Sequence, residues 1–400
     1  MNAFPTLKTS LVLFPLIGSH LVWGQSSNET NAAESKYAFS KVVHWDATPV
    51  QNQGMTGTCW SFSALSFFES ELIRMGSKNP EILSEMYVVR RAYEAKAERY
   101  LRMDGKTNFS EGGAFHDIPF VIRRYGIVPE KYYSGLTKGK SHNHSEMFDA
   151  LNTSVQNQLT AGSGITTEFK TAFKRILDNK LGKVPEEFEV EGVNYTPQSY
   201  AKAIGLNMDD YASITSFTNH GLYEECELEI PDNWAWGESY NVTLDDMYRT
   251  CVEALKAGYT IAWGADVSEK GFSFSNGIAI VPESDVIAMK GSDNKNFSDA
   301  GAERSSNAFL SPQKEILVTP EMRQAGYDGK TTTDDHGMHI VGLYTDQNNT
   351  TYFLVKNSWG TSNYPKGYLY VSEQYFKLKT INIYLHKNGI PSEIRSKLKL

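Results

Sequence analysis

The apolar residues after Cys59 recur at helical spacing and predict an amphipathic helix that begins near that cysteine. They are Ala64, Leu65, Phe67, Phe68, Leu72 and Ile73, and Gly76 ends the pattern. The N-terminus of a helix carries unpaired N–H groups and a partial positive charge, which favour a thiolate over a thiol. Cys59 is therefore a candidate nucleophile, and a buried cysteine that acts as a small apolar residue is the alternative.

Two later segments have the alternating and β-branched pattern of strands, with turn formers between them at 346–349. The first segment starts at His336, and the second ends at Asn357. Cysteine catalysis needs a base that takes the thiol proton and later returns it to the leaving amine. It also needs a third group that holds the imidazole in one tautomer. His336 and Asn357, on neighbouring strands, could supply these two parts.

Helical patterns also occur in the middle of the chain, at 169–181, at 196–204 and around Cys251. The last of these patterns places Cys251 in a core. We therefore expect Cys226 and Cys251 to be unpaired structural cysteines. A disulfide between them in an oxidising compartment is the alternative.

The first 24 residues have the pattern of a signal peptide. Lys8 supplies the positive charge, 11–22 form the apolar stretch, and a cleavage site precedes Gln25. The apolar stretch is short for a membrane span, and an uncleaved anchor is the alternative. Residues 25–36 are polar and without periodicity, which predicts a flexible leader. We expect an exported protein, periplasmic or secreted, with no stable membrane insertion after cleavage.

Length and charge narrow the class of protein. A chain of 400 residues, 40% of them hydrophobic, can bury one large core or two lobes. The net charge of −8 and the lack of a basic tract argue against a nucleic-acid partner. His44, His116 and His220 lie in no ligand-like cluster, so we expect neither a metal nor another cofactor.

Four motifs occur in the order that is found in the papain-like cysteine peptidases, and the chain resembles that family. The motifs are Asn-Gln-Gly-x-x-Gly-x-Cys-Trp-x-Phe-Ser at 52–63, Glu-Gly-Gly at 111–113, Asp-His-Gly-Met-x-Ile-Val-Gly at 335–342 and Lys-Asn-Ser-Trp-Gly at 356–360. The resemblance covers roughly 42–135 and 240–400, which is more than half of the chain.

Within that family the chain is similar to the bleomycin hydrolase and aminopeptidase C branch. Three segments carry this finer similarity: 257–267, 366–370 and 388–391. Thr56 also fits the branch, because many papain-like enzymes have a disulfide-bonded cysteine at this position and the branch does without it.

The resemblance implies an α+β, papain-like fold of two lobes with a cleft between them. A helical lobe would carry Cys59, and a β-barrel-like lobe would carry His336 and Asn357. The peptidase domain would span 37–400, with a helical insertion around 137–225. In the branch such insertions build a ring-shaped hexamer, so the resemblance also implies a homo-oligomer.

The resemblance also implies the roles of the site residues. Cys59 would be the nucleophile and His336 its base and acid. Asn357 would orient His336 through its side-chain carbonyl, and Trp359 would shield that hydrogen bond from water. Gln53 would donate its amide to the oxyanion together with the backbone N–H of Cys59.

Four further residues have expected positions. Gly112 and Gly113 would lie along the substrate strand, where a missing Cβ lets a peptide backbone approach. His339 is a rival base, but side chains three positions apart on a strand point to opposite faces, so it should point away from His336. Asp335 is interpreted as a solvated loop carboxylate rather than an electrostatic helper.

The mode of peptide cleavage depends on the C-terminus. In the branch, the C-terminal segment lies in the cleft and its carboxylate meets the free amine of the substrate, which makes the enzyme an aminopeptidase. Residues 391–400 resemble the helix that precedes this segment, so we expect the arm to be shortened or absent. We predict an aminopeptidase that acts on peptides. The alternatives are an endopeptidase or dipeptide-releasing peptidase with an open cleft and, less favoured, an inactive exported binding or shell protein.

Overall fold

The computed structural model describes residues 29–284, 287–290 and 303–400, and these residues form ten α-helices and fifteen strands. The helices are α1 (Cys59–Arg74), α2 (Glu85–Arg102), α3 (Asp117–Tyr125), α4 (Ser145–Ala161), α5 (Thr167–Leu181), α6 (Pro197–Ala203), α7 (Leu244–Lys256), α8 (Pro320–Asp328), α9 (Glu373–Lys379) and α10 (Ser392–Leu398). The strands are β1 (Ser40–His44), β2 (Phe188–Val190), β3 (Val193–Tyr195), β4 (Tyr211–Thr215), β5 (Glu224–Glu227), β6 (Glu238–Asn241), β7 (Ile261–Ala265), β8 (Phe272–Ser273), β9 (Ile278–Ala279), β10 (Ala288–Lys290), β11 (Glu303–Ser305), β12 (His336–Thr345), β13 (Thr351–Lys356), β14 (Tyr368–Ser372) and β15 (Thr380–His386).

Eleven of these strands form one sheet, in the order β5-β6-β4-β15-β7-β12-β13-β14-β9-β8, with β1 also paired to β12. β12 lies near the middle, antiparallel to both β7 and β13. Nine of its ten residues are buried. It carries apolar side chains on both faces because one face packs on α1 and the other on the core of the sheet. His336, its first residue, is held by pairing with Ala265 of β7.

The helical lobe is built around α1, which is buried along most of its length. Leu65 and Phe67 join the core that α2 to α6 share. On the side of the sheet, Phe67 and Phe68 contact Tyr211 of β4 and Tyr384 of β15. Because α1 lies between the helices and the sheet, Cys59 at its N-terminus is placed at the boundary between the two lobes. The predicted α+β architecture with a helical and a β-rich part is confirmed.

The region 137–225 is only partly the helical insertion that the sequence predicts. α4, α5 and α6 pack into the same core as α1, and Thr166 and Thr196 cap the last two helices. A small hairpin, β2–β3, lies between α5 and α6. β4 and β5, however, belong to the main sheet. The helical part therefore ends before residue 211, because the following residues pair with β15 and β6.

The described part of the predicted flexible leader is packed against the sheet. The side-chain amide of Asn31 donates to the carbonyls of Asn276 and Phe309 at 2.7 and 2.8 Å, and Asn31 is fully buried. The Glu29 carboxylate accepts a hydrogen bond of 2.9 Å from the Tyr370 hydroxyl. The leader prediction is therefore wrong for 29–36, since specific side-chain contacts hold a segment that lacks periodicity. The signal peptide predicted at 1–24 lies outside the described residues.

The cysteines agree with the prediction that none is disulfide-bonded. Cys59, Cys226 and Cys251 are all free, and Cys251 is fully buried in α7. The Cys226 thiol lies 3.4 Å from the carbonyl oxygen of Ser239. Among the described residues, no helix combines the length and the apolar character that a membrane span requires.

Candidate active site

The loop before α1 is fixed by Gln53, which is fully buried. Its amide nitrogen donates to the carbonyl of Thr56 at 2.8 Å, and its amide oxygen accepts from the Ser358 hydroxyl at 2.7 Å. Thr56 in turn donates to the carbonyl of Gln53 and lies 2.6 Å from the hydroxyl of Thr58. A hydrogen-bonded turn therefore holds this loop at the position where many papain-like enzymes have a disulfide.

Cys59 is the first residue of α1 and is 7% exposed. Its sulfur lies 3.9 Å from the carbonyl oxygen of Asp335, the residue that precedes β12. This contact brings the N-terminus of the helix to the start of the strand that carries His336. The nucleophile predicted at Cys59 thus lies beside the residue that precedes His336.

His336 and Asn357 form the histidine–amide pair that the sequence predicts. Nε2 of His336 lies 2.7 Å from Oδ1 of Asn357, which also accepts the backbone N–H of Ser358 at 2.7 Å. Since the Ser358 amide fixes Oδ1 as the acceptor, His336 carries a proton on Nε2. The ring of Trp359, 1% exposed, lies 4.6 Å from the His336 ring, so the pair is shielded from water as expected.

A cavity of about 280 Å³ opens beside these residues. The residues that line it are Gly57, Cys59, Trp60, Asn108, Ser110, Gly112, Gly113, Ala114, Phe115, Ile230, Asp232, Gly264, Asp334, Asp335, His336, Gly337 and Asn382. The structure thus brings Cys59, His336, Gly112 and Gly113 to one cavity. Gln53 and Asn357 are buried and do not line the cavity. Ser358 connects them, because its hydroxyl donates to Gln53 and its backbone N–H donates to Asn357.

The surroundings of the two glycines differ from the prediction. A Cβ added to Gly112 would overlap the carboxylate of Asp232, and one added to Gly113 would lie 2.6 Å from Asp117 and 2.8 Å from the Trp60 ring. Other atoms therefore come close to both glycines, as predicted. At these Cβ positions the atoms belong to side chains of the protein itself. The carbonyl of Gly112 also accepts a hydrogen bond from Lys96.

The interpretation of Asp335 as a solvated loop carboxylate is wrong, because Asp335 is partly buried and held in place. Its carboxylate accepts the hydroxyl of Thr333 at 2.6 Å and the backbone N–H of Ser268 at 3.0 Å. Burial and the neighbouring Asp335 raise the pKa of Asp266, while hydrogen bonds from Asp266 and Thr333 hold the pKa of Asp335 low against the effect of burial. The ionised Asp335 is thus a fixed negative charge next to His336.

His339 lies on the other face of β12, as predicted. Its Nδ1 is 2.9 Å from the hydroxyl of Ser66 on α1, and its ring contacts Phe67. Burial, and to a lesser degree the nearby Lys356, push the pKa of His339 well below its usual value. Nδ1 of His339 is thus hydrogen-bonded to α1. In the described part of the chain, no group of histidine, cysteine and carboxylate side chains is arranged to hold a metal ion.

Sequence reasoning missed the acidic residues Asp232 and Asp334 and the cation Lys96. Asp232 lies in the loop between β5 and β6, where no motif marks it, whereas Asp334 precedes the motif that contains His336. Desolvation raises the pKa of Asp117 to about 7 and lowers that of Lys96. The only sequence signal for Asp232, Asp334 and Lys96 was the pair of adjacent aspartates at 334–335.

A cysteine at a helix N-terminus, opposite a histidine–asparagine pair on a sheet, is the arrangement of the papain-like cysteine peptidases. The profile of the Peptidase C1-like family matches residues 19–304 and 314–400, and the chain belongs to this family. It is a cysteine-type peptidase by fold and family.

Named relatives and a solved structure agree with this membership. Aminopeptidase C of Lactobacillus delbrueckii subsp. lactis is 24% identical over 435 residues, which cover 95% of this chain and 91% of that protein. Bleomycin hydrolase of Mus musculus is 23% identical over 418 residues, covering 91% and 86%. PepW from Lactobacillus rhamnosis superposes with a TM-score of 0.67 at 20% identity, over 90% of this chain and 84% of that one, which shows a shared fold.

Proposed function

We propose that this protein is a cysteine aminopeptidase that releases N-terminal residues from peptides. The observation that carries the proposal is that Cys59 and His336 line one cavity while Asn357 holds His336 at 2.7 Å. Relatives that are named aminopeptidases match this chain over most of their length, and they support the exopeptidase mode.

The mechanism assigned to the site begins with a Cys59 thiolate and a His336 imidazolium. With Nε2 bonded to Asn357, Nδ1 is the nitrogen that takes the thiol proton. The thiolate attacks the scissile carbonyl, and His336 gives its proton to the leaving amine. Water activated by His336 then hydrolyses the thioester and regenerates the thiol.

Gln53 and the backbone N–H of Cys59 are assigned to the oxyanion. One hydrogen of the Gln53 amide bonds to Thr56, and the Ser358 hydroxyl fixes the amide oxygen. A donor fixed in this way lowers the barrier by about 3–4 kcal/mol because no reorganisation is needed during the reaction.

The proposal is tested with aminoacyl reporters and with Cys59→Ser. We expect this substitution to lower kcat by on the order of 10³-fold or more, because the nucleophile is lost. Cys226→Ser is the matched control and should retain activity. Iodoacetamide at slightly acidic pH should label Cys59 first, since burial and then Glu229 and Glu238 raise the pKa of the Cys226 thiol to about 11.

Three results would contradict the proposal. The first is a Cys59→Ser variant that keeps its activity, and the second is a Cys59 that reacts no faster than Cys226 or Cys251. The third is faster turnover of N-blocked peptides than of free aminoacyl reporters, which would identify an endopeptidase.

The export signal at 1–24 and the homo-oligomer, a hexamer by resemblance, stay predictions.

A further inference from the structure

The cavity beside Cys59 has an acidic side that the proposed chemistry does not use. Three carboxylates line it, those of Asp232, Asp334 and Asp335. Asp335 is committed to Thr333 and Ser268. Asp232 and Asp334 come from different loops, the first between β5 and β6 and the second just before β12. They are the two carboxylates left for a ligand.

Asp232 is held in a defined position. Its Oδ1 accepts from the amide of Asn108 at 2.8 Å and from the hydroxyl of Ser110 at 3.0 Å. Its loop is fixed by Trp234, whose indole N–H donates to the buried Asp117 at 2.7 Å. A carboxylate that is oriented in this way needs no rearrangement to accept a further donor.

Asp334 has an oxygen that the described residues leave unused. Its Oδ2 is buried and has no hydrogen-bond partner among them. Burial, then the neighbouring charges of Asp232 and Asp335, raise the pKa of this carboxyl well above its usual value. A buried acceptor without a donor costs free energy, and a cation at this point would satisfy it.

Lys96, whose charge acts on Asp334, does not bond to the unused oxygen of Asp334. Lys96 directs its ammonium to the carbonyls of Ser110 and Gly112, and it does not contribute to the cavity lining formed by the described residues. The described lining therefore holds these two carboxylates as well as the thiol and the imidazole. The two carboxylates match a small organic cation with several N–H donors.

Asp232 also lies close to the loop that carries Cys59. Its carboxylate packs directly on Gly112, and the backbone of Gly112 lies next to Gly57, two residues before Cys59. The cavity, at about 280 Å³, is near the lower end of the range of about 300–1,000 Å³ that is common for ligand sites.

We infer that Asp232 and Asp334 bind the α-ammonium of the substrate's N-terminal residue and so set the exopeptidase mode. This inference rests on the proposed aminopeptidase function and assigns its specificity to two residues. The ammonium donates hydrogen bonds to Oδ2 of Asp334 and to the Asp232 carboxylate. Helix α10 lies elsewhere, with Glu393 paired to Arg249 of α7 at 2.7 Å.

The experiment compares pairs of 7-amido-4-methylcoumarin reporters of leucine, alanine and arginine, each with a free and an N-acetylated amine. The variants are Asp232→Asn and Asp334→Asn, which keep shape and remove charge. We expect each to lower the ratio of kcat/KM for free over acetylated substrate by about 10- to 100-fold, mainly through KM, as for one lost charge-assisted hydrogen bond. The control is Asp245→Asn, a carboxylate whose side chain is 91% exposed.

The outcomes distinguish the aminopeptidase function from the role of Asp232 and Asp334. A wild-type enzyme that cleaves acetylated reporters as well as free ones would overturn the aminopeptidase function itself. A wild type that prefers the free amine, with both asparagine variants keeping that ratio, would overturn only the role of the two aspartates. Labelling of Cys59 by iodoacetamide checks that each variant is folded.

Discussion

At the scale of single residues, the histidine–amide pair depends on a backbone contact. Oδ1 of Asn357 is fixed by the N–H of Ser358, the next residue in the chain, and it fixes His336 in turn. The orientation of the imidazole is therefore set by local geometry at the end of β13. This explains how a short motif in the sequence can predict a contact between two strands.

Substituting Asn357 with alanine should lower kcat by about 10- to 100-fold with little change in KM. The imidazole would lose the acceptor that holds its tautomer, while the cavity that binds substrate would keep its lining. Steady-state kinetics with a free aminoacyl reporter measure this effect. Asn194→Ala, at an exposed position of β3, is the control and should be silent. Equal activity of both variants would show that Asn357 does not position His336.

Sequence and structure agree best for residues whose positions a local motif fixes. Gln53, Cys59, His336 and Asn357 all lie in motifs whose turns and strand ends determine where the side chain points. Asp232 has no such motif, because its place depends on how a long loop packs on α2 and α3 through Trp234. Only tertiary packing brings it to Gly112.

At the scale of elements, periodicity predicted the helices well and failed for segments held by side-chain contacts. The pattern around Cys251 matches α7, and the pattern at 169–181 matches α5 apart from two residues at its start. The segment at 29–36 has no periodicity and yet is held by Asn31. Individual buried polar contacts leave no periodic signal, so hydrophobic patterning cannot find them.

Asn31→Ala should lower the free energy of unfolding by about 2 kcal/mol, because two backbone carbonyls lose their buried donor. Urea denaturation followed by tryptophan fluorescence measures the change. Glu34→Ala, an exposed substitution in the same segment, should alter stability by less than about 0.5 kcal/mol. If the two variants were equally stable, the N-terminal segment would not contribute to the fold.

At the scale of the whole molecule, two sets of buried ionisable groups act on stability in opposite directions. Burial lowers the pKa of one set of histidines: His116, His142, His144, His339 and His386. Burial raises the pKa of one set of carboxyls: Glu69, Glu85, Asp117, Asp266, Glu315 and Asp334. The histidines make the unfolded state bind more protons below about pH 6.5, and the carboxyls make the folded state bind more protons above about pH 4.5.

We therefore expect maximal stability between about pH 4.5 and 6.5, where the two effects offset each other. Below this range the carboxyls with raised pKa values are protonated in both states, and the histidines make stability fall with falling pH. Above it the histidines are neutral in both states, and stability falls with rising pH while the folded state still holds carboxyl protons that the unfolded state has lost. Urea denaturation at pH 4, 5.5 and 7.5 measures the free energy of unfolding.

Glu69 provides the sharpest single test, because burial raises its pKa from the ordinary value to about 7 while Thr48 and the Leu83 N–H bond to it. Between pH 5 and 7 the folded state holds this proton and the unfolded state does not, which costs about 1.4 kcal/mol of stability per pH unit gained. Glu69→Gln should remove that part of the slope, and the exposed Glu187→Gln should not. An unchanged slope in Glu69→Gln would mean that Glu69 is ionised in the folded protein, with Lys356 as its counterion.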